Sequence, residues 1–301
     1  MQIGPTEILD TFAEAFRMRY TRLIITAADD YWLDAALAEI GGYASSVIAC
    51  DAEVGVDQRI PAEQSPDGRP AASILVFGFS TDALAKSVPN RVGQCVMTCP
   101  TTAVFNGLEG VKDDEGKEET IPLGKHIRFF GDGFQKSKVF AGRRYWRIPV
   151  MDGEFLVEEK LGVGKGVAGG NIILQGIDQT TALAAARRAS EAIKDMPGVI
   201  APFPGGVVRS GSKVGSQYKT LVASTNDAFC PTLRGRVETE LVEGVNASYE
   251  IVVNGVDEEA VAGAMKVLLN KAAGEGILAI GAGNYGGKLG KFHFKLHELL
   301  Q

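Results

Sequence analysis

The chain has 301 residues, of which 45% are hydrophobic and 23% charged, a balance typical of a soluble globular protein with one large domain or two ordinary ones. Its formal net charge of -6 and the lack of any lysine- or arginine-rich block exclude an electrostatic nucleic-acid binder. No apolar window reaches the length of a membrane span and the N-terminus has no signal sequence, so we expect a cytoplasmic protein without a membrane partner. Four cysteines are too few for a disulfide framework in a chain of this size.

The first half of the chain predicts two successive strand–helix–strand units, preceded by one more helix. Thr11 and Glu14 have the spacing of a capping box, which marks the start of a helix. The predicted elements are a helix from Thr11 toward Arg19, a strand at 22–27, a helix from Asp29 or Asp30 to Ile40, a strand at 46–50, a strand at 74–78, a helix capped within residues 80–82, and a strand at 93–98.

The second half repeats this pattern twice, after a set of antiparallel strands. Asp152 and Gly153 form a strong hairpin signal between two of those strands. Asp178 and Asp257 precede the two helices and are expected to cap them. The predicted elements are strands at 127–131, 144–150, 153–158 and 171–176, a helix at 181–194, strands at 199–201 and 249–255, a helix at 258–273, and strands at 277–281 and 292–296.

Four strand–helix–strand units, two in each half, predict an α+β protein built from two similar ferredoxin-like (split βαβ) lobes that arose by internal duplication. Each predicted helix is only moderately amphipathic, as expected when a helix packs on one face of a sheet. We place the domain boundary near Val150. The N-terminal lobe is then 1–150 and the C-terminal lobe is 151–301.

Two segments, at 164–169 and 281–286, match the G-x-G-x-x-G pattern of dinucleotide-binding sites. That function requires the glycine turn to open a helix, so that the pyrophosphate lies at the helix N-terminus. The residues after each match predict strands instead, which disfavours a nicotinamide-dependent oxidoreductase. The segment 206–213 nearly matches a phosphate-binding loop, but Ser212 stands where the pattern requires lysine, so we expect no ATP site.

Residues that ligate metals are poorly arranged in this sequence. His293 and His297 have the i,i+4 spacing that would suit one face of a helix, but the surrounding apolar alternation predicts a strand with both histidines exposed. Cys95 and Cys99 lack the spacing of a zinc site, and their simpler role is that of small buried hydrophobic residues. We therefore expect no metal.

The segment 201–232 has no regular apolar period and is net positive in an acidic protein. Long irregular segments inside compact domains are commonly functional loops. The strand that follows carries Glu250 among β-branched residues, and a solvated carboxylate is the simpler interpretation of that pattern alone. Glycine-rich corners, which either make tight turns for packing or offer backbone N–H groups to an anionic ligand, lie at 166–171, 204–206, 211–216 and 281–290.

Taken together, the motifs of this chain resemble those of the formylmethanofuran–tetrahydromethanopterin formyltransferase family. They occur in order along nearly the whole chain, which makes the match more specific than any one glycine motif. The segments that carry the resemblance are DTFAEAF (10–16), PDGRP (66–70), GQCVMT (93–98), FFGDG (129–133), GVAGGN (166–171), APFPGG (201–206), SKVGS (212–216), STNDAFCPT (224–232), YEIVVNG (249–255) and GAGNYGGKLG (281–290).

The resemblance implies two ferredoxin-like lobes, assembly as a homotetramer, and transfer of a formyl group between the amine of methanofuran and N5 of tetrahydromethanopterin. Both compounds act as coenzyme substrates, and no metal or prosthetic group is implied. Glu250 matches the family's proposed catalytic carboxyl. A carboxyl kept protonated by an apolar environment can hydrogen-bond the oxyanion of a tetrahedral intermediate.

We expect the substrates to be bound by residues of the same segments. The expected substrate-binding residues are Asn171, Phe203, Gly205, Gly206, Arg209, Ser212, Lys213, Ser224, Thr225, Asn226, Asp227, Asn284 and Lys288.

The ordinary charge balance favours the aerobic methylotroph branch of the family, where the similar enzyme works with other subunits in a formyltransferase/hydrolase complex. An alternative from another functional class is a non-catalytic subunit that binds the coenzyme or serves assembly of that complex. The intact segments 224–232 and 249–255 argue against this alternative.

Overall fold

The computed structural model describes residues 1–43, 50–112, 116–211 and 213–301, which form a mixed α+β structure, as predicted. The helices are α1 (Asp30–Tyr43), α2 (Thr81–Arg91), α3 (Gly124–Ile127), α4 (Gln179–Ile193), α5 (Glu258–Ala272) and α6 (Leu296–Leu299). The strands are β1 (Gln2–Ile3), β2 (Thr6–Ile8), β3 (Phe12–Thr26), β4 (Glu53–Ile60), β5 (Ala71–Gly78), β6 (Ala103–Asn106), β7 (Thr120–Pro122), β8 (Lys136–Phe140), β9 (Arg143–Val150), β10 (Gly153–Glu158), β11 (Lys160–Gly162), β12 (Gly164–Gly176), β13 (Val199–Ile200), β14 (Lys213–Val214), β15 (Ala223–Ser224), β16 (Ala247–Gly255), β17 (Ile277–Gly281) and β18 (Phe292–Lys295). No helix in these ranges is long and apolar enough to span a bilayer.

One compact unit comprises the described residues between 18 and 166. Its central strands are antiparallel neighbours in the order β4-β5-β3-β6, and β10, β9 and β8 extend the sheet beyond β6. α1 and α2 pack on this sheet, and their Leu33 and Leu84 join Ile74 and Val76 of β5 in one buried core.

The second compact unit comprises the described residues of 1–17 and 167–301. Its central strands are antiparallel neighbours in the order β17-β12-β16-β13, and β2 adds to β17 in parallel. When the four central strands of each unit are numbered along the chain, both units have the same spatial order, second-third-first-fourth. In both units a helix connects the first strand to the second, and another connects the third to the fourth.

The central sheet of the second unit has two different faces. Alternate residues of its strands, including Ile172 and Ile251, are buried in a core with α4 and α5. The intervening residues point to the opposite face, because successive side chains of a strand alternate. Glu250 and its cross-strand neighbour Ile173 lie on that second face, which irregular segments cover instead of helices. Two of the functional candidates, Glu250 and Asn171, therefore lie on the face without helices.

Most predicted elements are confirmed, and so are the helix caps predicted at the starts of α2, α4 and α5. The side chains of Ser80, Asp178 and Asp257 accept hydrogen bonds from the backbone N–H groups three residues further along the chain, at the starts of α2, α4 and α5. The predicted hairpin also forms, since Val150 pairs with Gly153.

The predicted helix after Thr11 is wrong, because residues 12–26 form the long strand β3. Ala13 and Ala15 are fully buried in this strand, and Glu14 between them is buried too. The carboxylate of Glu14 binds a distant loop rather than the start of a helix. Spacing alone could not distinguish these two uses of a glutamate.

Two predicted strands are also wrong. Residues 93–98 continue from α2 as a π-helical turn, since Val88, Val92 and Val96 recur at helical spacing and are all buried. Residues 127–131 form helical turns in which the guanidinium of Arg128 stacks on the ring of Trp146. The strand predicted at 46–50 falls largely outside the described residues.

The glycines of the GVAGGN segment have packing roles that predict a stability difference. An added Cβ at Gly170 would lie 2.4 Å from Cγ1 of Val261 in α5, so Gly170→Ala should reduce the free energy of unfolding by about 1–3 kcal/mol. Gly263→Ala, inside α5, places its Cβ 3.9 Å from Cε of Met196 and should instead raise the free energy of unfolding by about 0.5–1 kcal/mol. Urea unfolding of both variants measures the difference, and equal effects would contradict the close strand–helix packing.

Candidate functional site

Glu250 lies in the middle of β16 and is only 6% exposed. Its backbone pairs with Ile173 of β12 on one side, and on the other it exchanges hydrogen bonds with Val208, of 3.0 and 2.7 Å. The side-chain atom Oε2 is buried and has no hydrogen-bond partner in the part of the chain that the structure describes. A buried carboxyl oxygen without a partner is costly, which makes it a mark of a functional group.

Burial makes the Glu250 carboxyl a weaker acid than an ordinary glutamate. Desolvation raises the pKa of Glu250 to about 7, because the charged form loses its hydration without gaining a donor. The carboxyl therefore keeps its proton to a higher pH than an ordinary glutamate does. In that form it donates a hydrogen bond, which an ionised carboxylate cannot do.

A narrow cleft opens beside the Glu250 side chain. It is lined on one side by the sheet and on the other by the irregular segment that begins at Val208. The lining residues are Ile173, Val208, Arg209, Ser210, Gly211, Asn226, Phe229, Cys230, Ser248, Tyr249 and Glu250. Two predicted binding residues, Arg209 and Asn226, thus lie in the same cleft as the predicted catalytic carboxyl.

Asn171 lies two residues before Ile173, on the same face of the sheet as Glu250. Its amide oxygen accepts the N–H of Gly283 at 2.6 Å, and its amide nitrogen donates to the carbonyl of Gly283 at 3.1 Å. A Cβ at Gly283 would lie 3.8 Å from Oε1 of Glu250. Asn171 therefore fixes the backbone that lies next to the Glu250 carboxyl.

Glu14 is a functional candidate that the sequence did not indicate. Its Oε2 accepts the N–H groups of Tyr285 and Gly287 at 2.7 and 2.9 Å, and its Oε1 accepts those of Leu289 and Gly290 at 2.6 and 2.5 Å. Burial acts to raise the pKa of Glu14, but these four hydrogen bonds lower it below the ordinary value. The glycine-rich corner 281–290 thus binds a carboxylate, but the carboxylate belongs to the chain itself.

The glycines of this corner explain how so many N–H groups converge. Gly286 and Gly287 both have a φ of 71°, a left-handed conformation in which successive N–H groups line a concave surface. A Cβ on Gly290 would lie 2.4 Å from the carbonyl oxygen of Ala15, so this position requires glycine. In the sequence, the available indication of this contact was a glycine-rich segment, 281–290, together with an acid, Glu14, between apolar residues.

Tyr285 connects the surroundings of the two carboxyls. It is half-buried, and burial together with the nearby Glu250 and Glu14 raises the pKa of its phenol. Its ring also packs against Phe16, with ring centroids 6.2 Å apart. Tyr285 is therefore a neutral phenol near Glu250, and the sequence alone did not indicate it as a functional residue.

Two predicted binding residues in the segment 201–232 bind each other. Nζ of Lys213 lies 2.7 Å from Oδ2 of Asp227, and this hydrogen bond holds the pKa of Asp227 below its ordinary value. Ser224 and Thr225 donate their hydroxyl groups to the carbonyls of Gly215 and Ser210, at 2.9 Å in both cases. These contacts fold the segment onto itself and leave Arg209 as the cation that lines the cleft.

The corner at 204–206 packs against a helix. Ser190 of α4 donates its hydroxyl to the carbonyl of Gly205 at 3.0 Å, and a Cβ on Gly206 would lie 2.0 Å from that hydroxyl oxygen. Phe203 precedes this turn and is half-buried. Close packing therefore accounts for Gly206, and a left-handed φ of 62° accounts for Gly205. Phe203, Gly205 and Gly206 do not line the cleft beside Glu250.

The remaining predicted binding residues have separate surroundings. The amide of Asn284 donates to the hydroxyl of Thr11 and the carbonyl of Phe12, at 3.3 and 3.2 Å, and so ties its loop to β3. Lys288 is exposed. Ser212 lies outside the described residues.

The two glycine motifs precede strands, as the sequence predicted, but one of the two histidines does not lie in the predicted strand. Gly164 begins β12, and the second glycine motif leads to β18, so neither opens a helix. His293 is an exposed strand residue, but His297 lies in the short helix α6. No group of three or more histidines, cysteines or acids suited to a metal ion occurs among the described residues.

Comparison with known proteins places these observations in a family. Residues 1–150 match the family model described as formylmethanofuran-tetrahydromethanopterin formyltransferase, and residues 153–299 match the model described as its proximal lobe. A relative named formylmethanofuran–tetrahydromethanopterin formyltransferase, from Methylobacillus flagellatus, is 53% identical, and the match covers 100% of both chains.

Two solved structures are similar over the whole chain. The formylmethanofuran:tetrahydromethanopterin formyltransferase from Methanosarcina barkeri has a TM-score of 0.90 and 46% identity, covering 100% of both chains. The formyltransferase/hydrolase complex from Methylorubrum extorquens, solved with methylofuran, has a TM-score of 0.93 and 44% identity, covering 100% of this chain and 99% of that one. The chain therefore belongs to the formylmethanofuran–tetrahydromethanopterin formyltransferase family.

Proposed function

We propose that this chain transfers a formyl group between the amine of methanofuran and N5 of tetrahydromethanopterin, with Glu250 as the catalytic carboxyl. The observation that carries the proposal is the buried carboxyl of Glu250 beside a cleft, with its Oε2 unpartnered among the described residues, in a chain that is similar over its full length to enzymes named for this reaction. Both compounds are coenzyme substrates in this proposal, and neither is a resident cofactor.

The main task of the protein in this reaction is to stabilise the charge that develops on the reacting atoms. The lone pair of N5 attacks the formyl carbon, and the carbonyl electron pair moves to the oxygen. The resulting tetrahedral intermediate collapses when the methanofuran nitrogen leaves with the electron pair of the broken C–N bond. That nitrogen gains a proton as N5 loses one, so atoms and charges balance.

Glu250 fits the step at which charge develops on oxygen. Its protonated form donates a hydrogen bond that strengthens as the oxyanion forms, and the low-dielectric surroundings increase the value of that bond. The neighbouring Tyr285 is a neutral phenol, so it is not a base that would take the proton of Glu250. Exclusion of water by the covering segments also protects the formyl group from hydrolysis.

We propose further that both units are ferredoxin-like lobes that arose by duplication. The support is their common order of central strands and their matching helix connections. The division near Val150 remains a prediction about the two lobes. The two family models meet at that hairpin, whereas the compact units divide at 17/18 and 166/167.

For partners, we propose a homotetramer in the cytoplasm. Large exposed apolar side chains mark surfaces that bind other chains, and five of them lie between residues 129 and 140. They are Phe129, Phe130, Phe134, Val139 and Phe140.

A second candidate function is that of a subunit in a formyltransferase/hydrolase complex, in which another chain performs the catalysis. The similarity to a solved complex of that name favours such an assembly. The buried Glu250 argues against a purely structural role. A buried carboxyl oxygen without a partner reduces stability, so a residue of this kind is expected where a function requires it. The two candidates differ in whether the purified chain acts alone.

Protonation of Glu250 predicts a specific dependence of stability on pH. The folded-state pKa is raised from 4.5 to about 7, so the folded state holds a proton that the unfolded state releases. The free energy of unfolding should therefore fall by about 3 kcal/mol as pH rises from about 4.5 to about 7. Glu250→Gln lacks this contribution, and its stability relative to the wild type should increase over the same pH range. Urea unfolding of both proteins at pH 5 and pH 8 tests the prediction, and an equal difference at both pH values would contradict it.

The proposed catalytic role predicts the effect of the same substitution on turnover. Glu250→Gln keeps the shape and an N–H donor but removes the acidic proton, so kcat should fall by about 10²–10³-fold while KM changes little. The assay measures formyl transfer to tetrahydromethanopterin by the purified chain alone. Activity of the wild type alone excludes the scaffold function, and near-normal turnover of the variant would remove Glu250 from catalysis.

Arg209 is expected to bind an anionic group of a substrate from its position in the cleft. Arg209→Ala should raise KM by about 10-fold or more with a smaller change in kcat, because a charge-assisted hydrogen bond is lost equally in the ground and transition states. Arg187→Ala is the matched control, since Arg187 is an exposed arginine of α4 that pairs with Glu191. Equal KM values for the two variants would contradict a binding role for Arg209.

A further inference from the structure

The loop 281–290 is held at two places by buried polar side chains. Asn171 binds both backbone groups of Gly283, and Glu14 accepts the N–H groups of Tyr285, Gly287, Leu289 and Gly290. Every oxygen of the Glu14 carboxylate therefore has two donors. A carboxylate with this many hydrogen bonds fixes the backbone that provides them, because each displacement would leave a buried charge without its partners.

The part of the loop between these two anchors lies beside the Glu250 carboxyl. Gly283 approaches Oε1 of Glu250 closely enough that an added Cβ would be 3.8 Å away. Tyr285, whose N–H group binds Glu14, lies near enough to Glu250 for the two ionisations to influence each other. The loop thus forms one wall of the space around Glu250.

We propose that Glu14 is a positioning residue, which holds the loop 281–290 against Glu250 and so keeps water away from that carboxyl. The inference rests on the proposed function, since the dry surroundings matter for turnover only if Glu250 acts in catalysis. Glu14 itself reaches the reaction through the loop and touches no reacting atom in this proposal.

The substitution Glu14→Gln tests this role with little change of volume. The glutamine oxygen can still accept one pair of N–H groups. Its NH₂ group is itself a donor, so it cannot accept the other pair. One end of the loop should then detach, and water should reach Glu250. The pKa of Glu250 should fall toward the ordinary value by about one pH unit or more.

Two measurements follow this change independently. Infrared difference spectra, with Glu250→Gln as the blank, give the midpoint at which the protonated carboxyl of Glu250 disappears. The pH profile of kcat/KM gives the decline caused by loss of the same proton. In Glu14→Gln both transitions should move to lower pH by the same amount, with kcat reduced more than KM is raised.

The control variant reduces stability without touching the loop. Asp257→Ala removes the cap of α5 in the same unit, so its two transitions should stay at the wild-type pH. The other ionisable residues that line the cleft or lie near Glu250 are Arg209, Cys230, Tyr249 and Tyr285, and all remain in both variants. A shift seen only in Glu14→Gln therefore reports the loop.

The outcomes separate the two proposals. Unchanged transitions in a folded Glu14→Gln protein would overturn the positioning role. A shifted infrared midpoint with an unshifted activity profile would support the positioning role and overturn the catalytic role of Glu250. If Glu14→Gln does not fold, Gly286→Ala disturbs the same loop through its left-handed φ of 71°, and the same shift is expected. Its absence there would also overturn the proposal.

Discussion

The desolvation of one carboxyl is the constraint on which the proposed chemistry depends. Strand alternation alone would place Glu250 on the face of β16 opposite the helices, where a carboxylate is ordinarily solvated. In this chain the segment that begins at Val208 and the loop around Gly283 cover that face instead. The carboxyl is left buried with one oxygen unpartnered, and its pKa rises to about 7. The stability lost in this way is the cost of keeping an acid protonated at neutral pH.

Two buried glutamates in one unit show that burial by itself does not set acidity. Glu14 is 1% exposed and Glu250 is 6% exposed, so both lose hydration. Glu14 has four N–H donors, and its pKa is lowered, whereas burial acts on Glu250 without a compensating donor, and its pKa is raised. The difference arises from hydrogen bonds to the charged form. One glutamate is therefore suited to hold backbone as an anion, and the other to donate a proton as an acid.

Local rules predicted much of the fold from the sequence and failed where distant contacts decide. The caps at Ser80, Asp178 and Asp257 were predictable, because each involves residues only three positions apart. The turn at 93–98 was not, because apolar residues in a short run fit a strand and a buried helix equally well. The site was predicted in part: the resemblance indicated Glu250, but Glu14 resembled a helix cap. Its true partners lie about 270 positions away in the chain, a separation that no local pattern reports.

The positively charged residues of the segment 201–232 have different surroundings in the structure. Lys213 is paired with Asp227, so that lysine adds no net charge to the segment's inner part. Arg209 instead lines the same cleft as Glu250, whose raised pKa lessens its negative charge at neutral pH. An ionised Glu250 would attract this guanidinium and compete with an anionic substrate for it. The proposed mechanism therefore needs the proton on Glu250 twice: to support the oxyanion, and to leave the arginine available to the substrate.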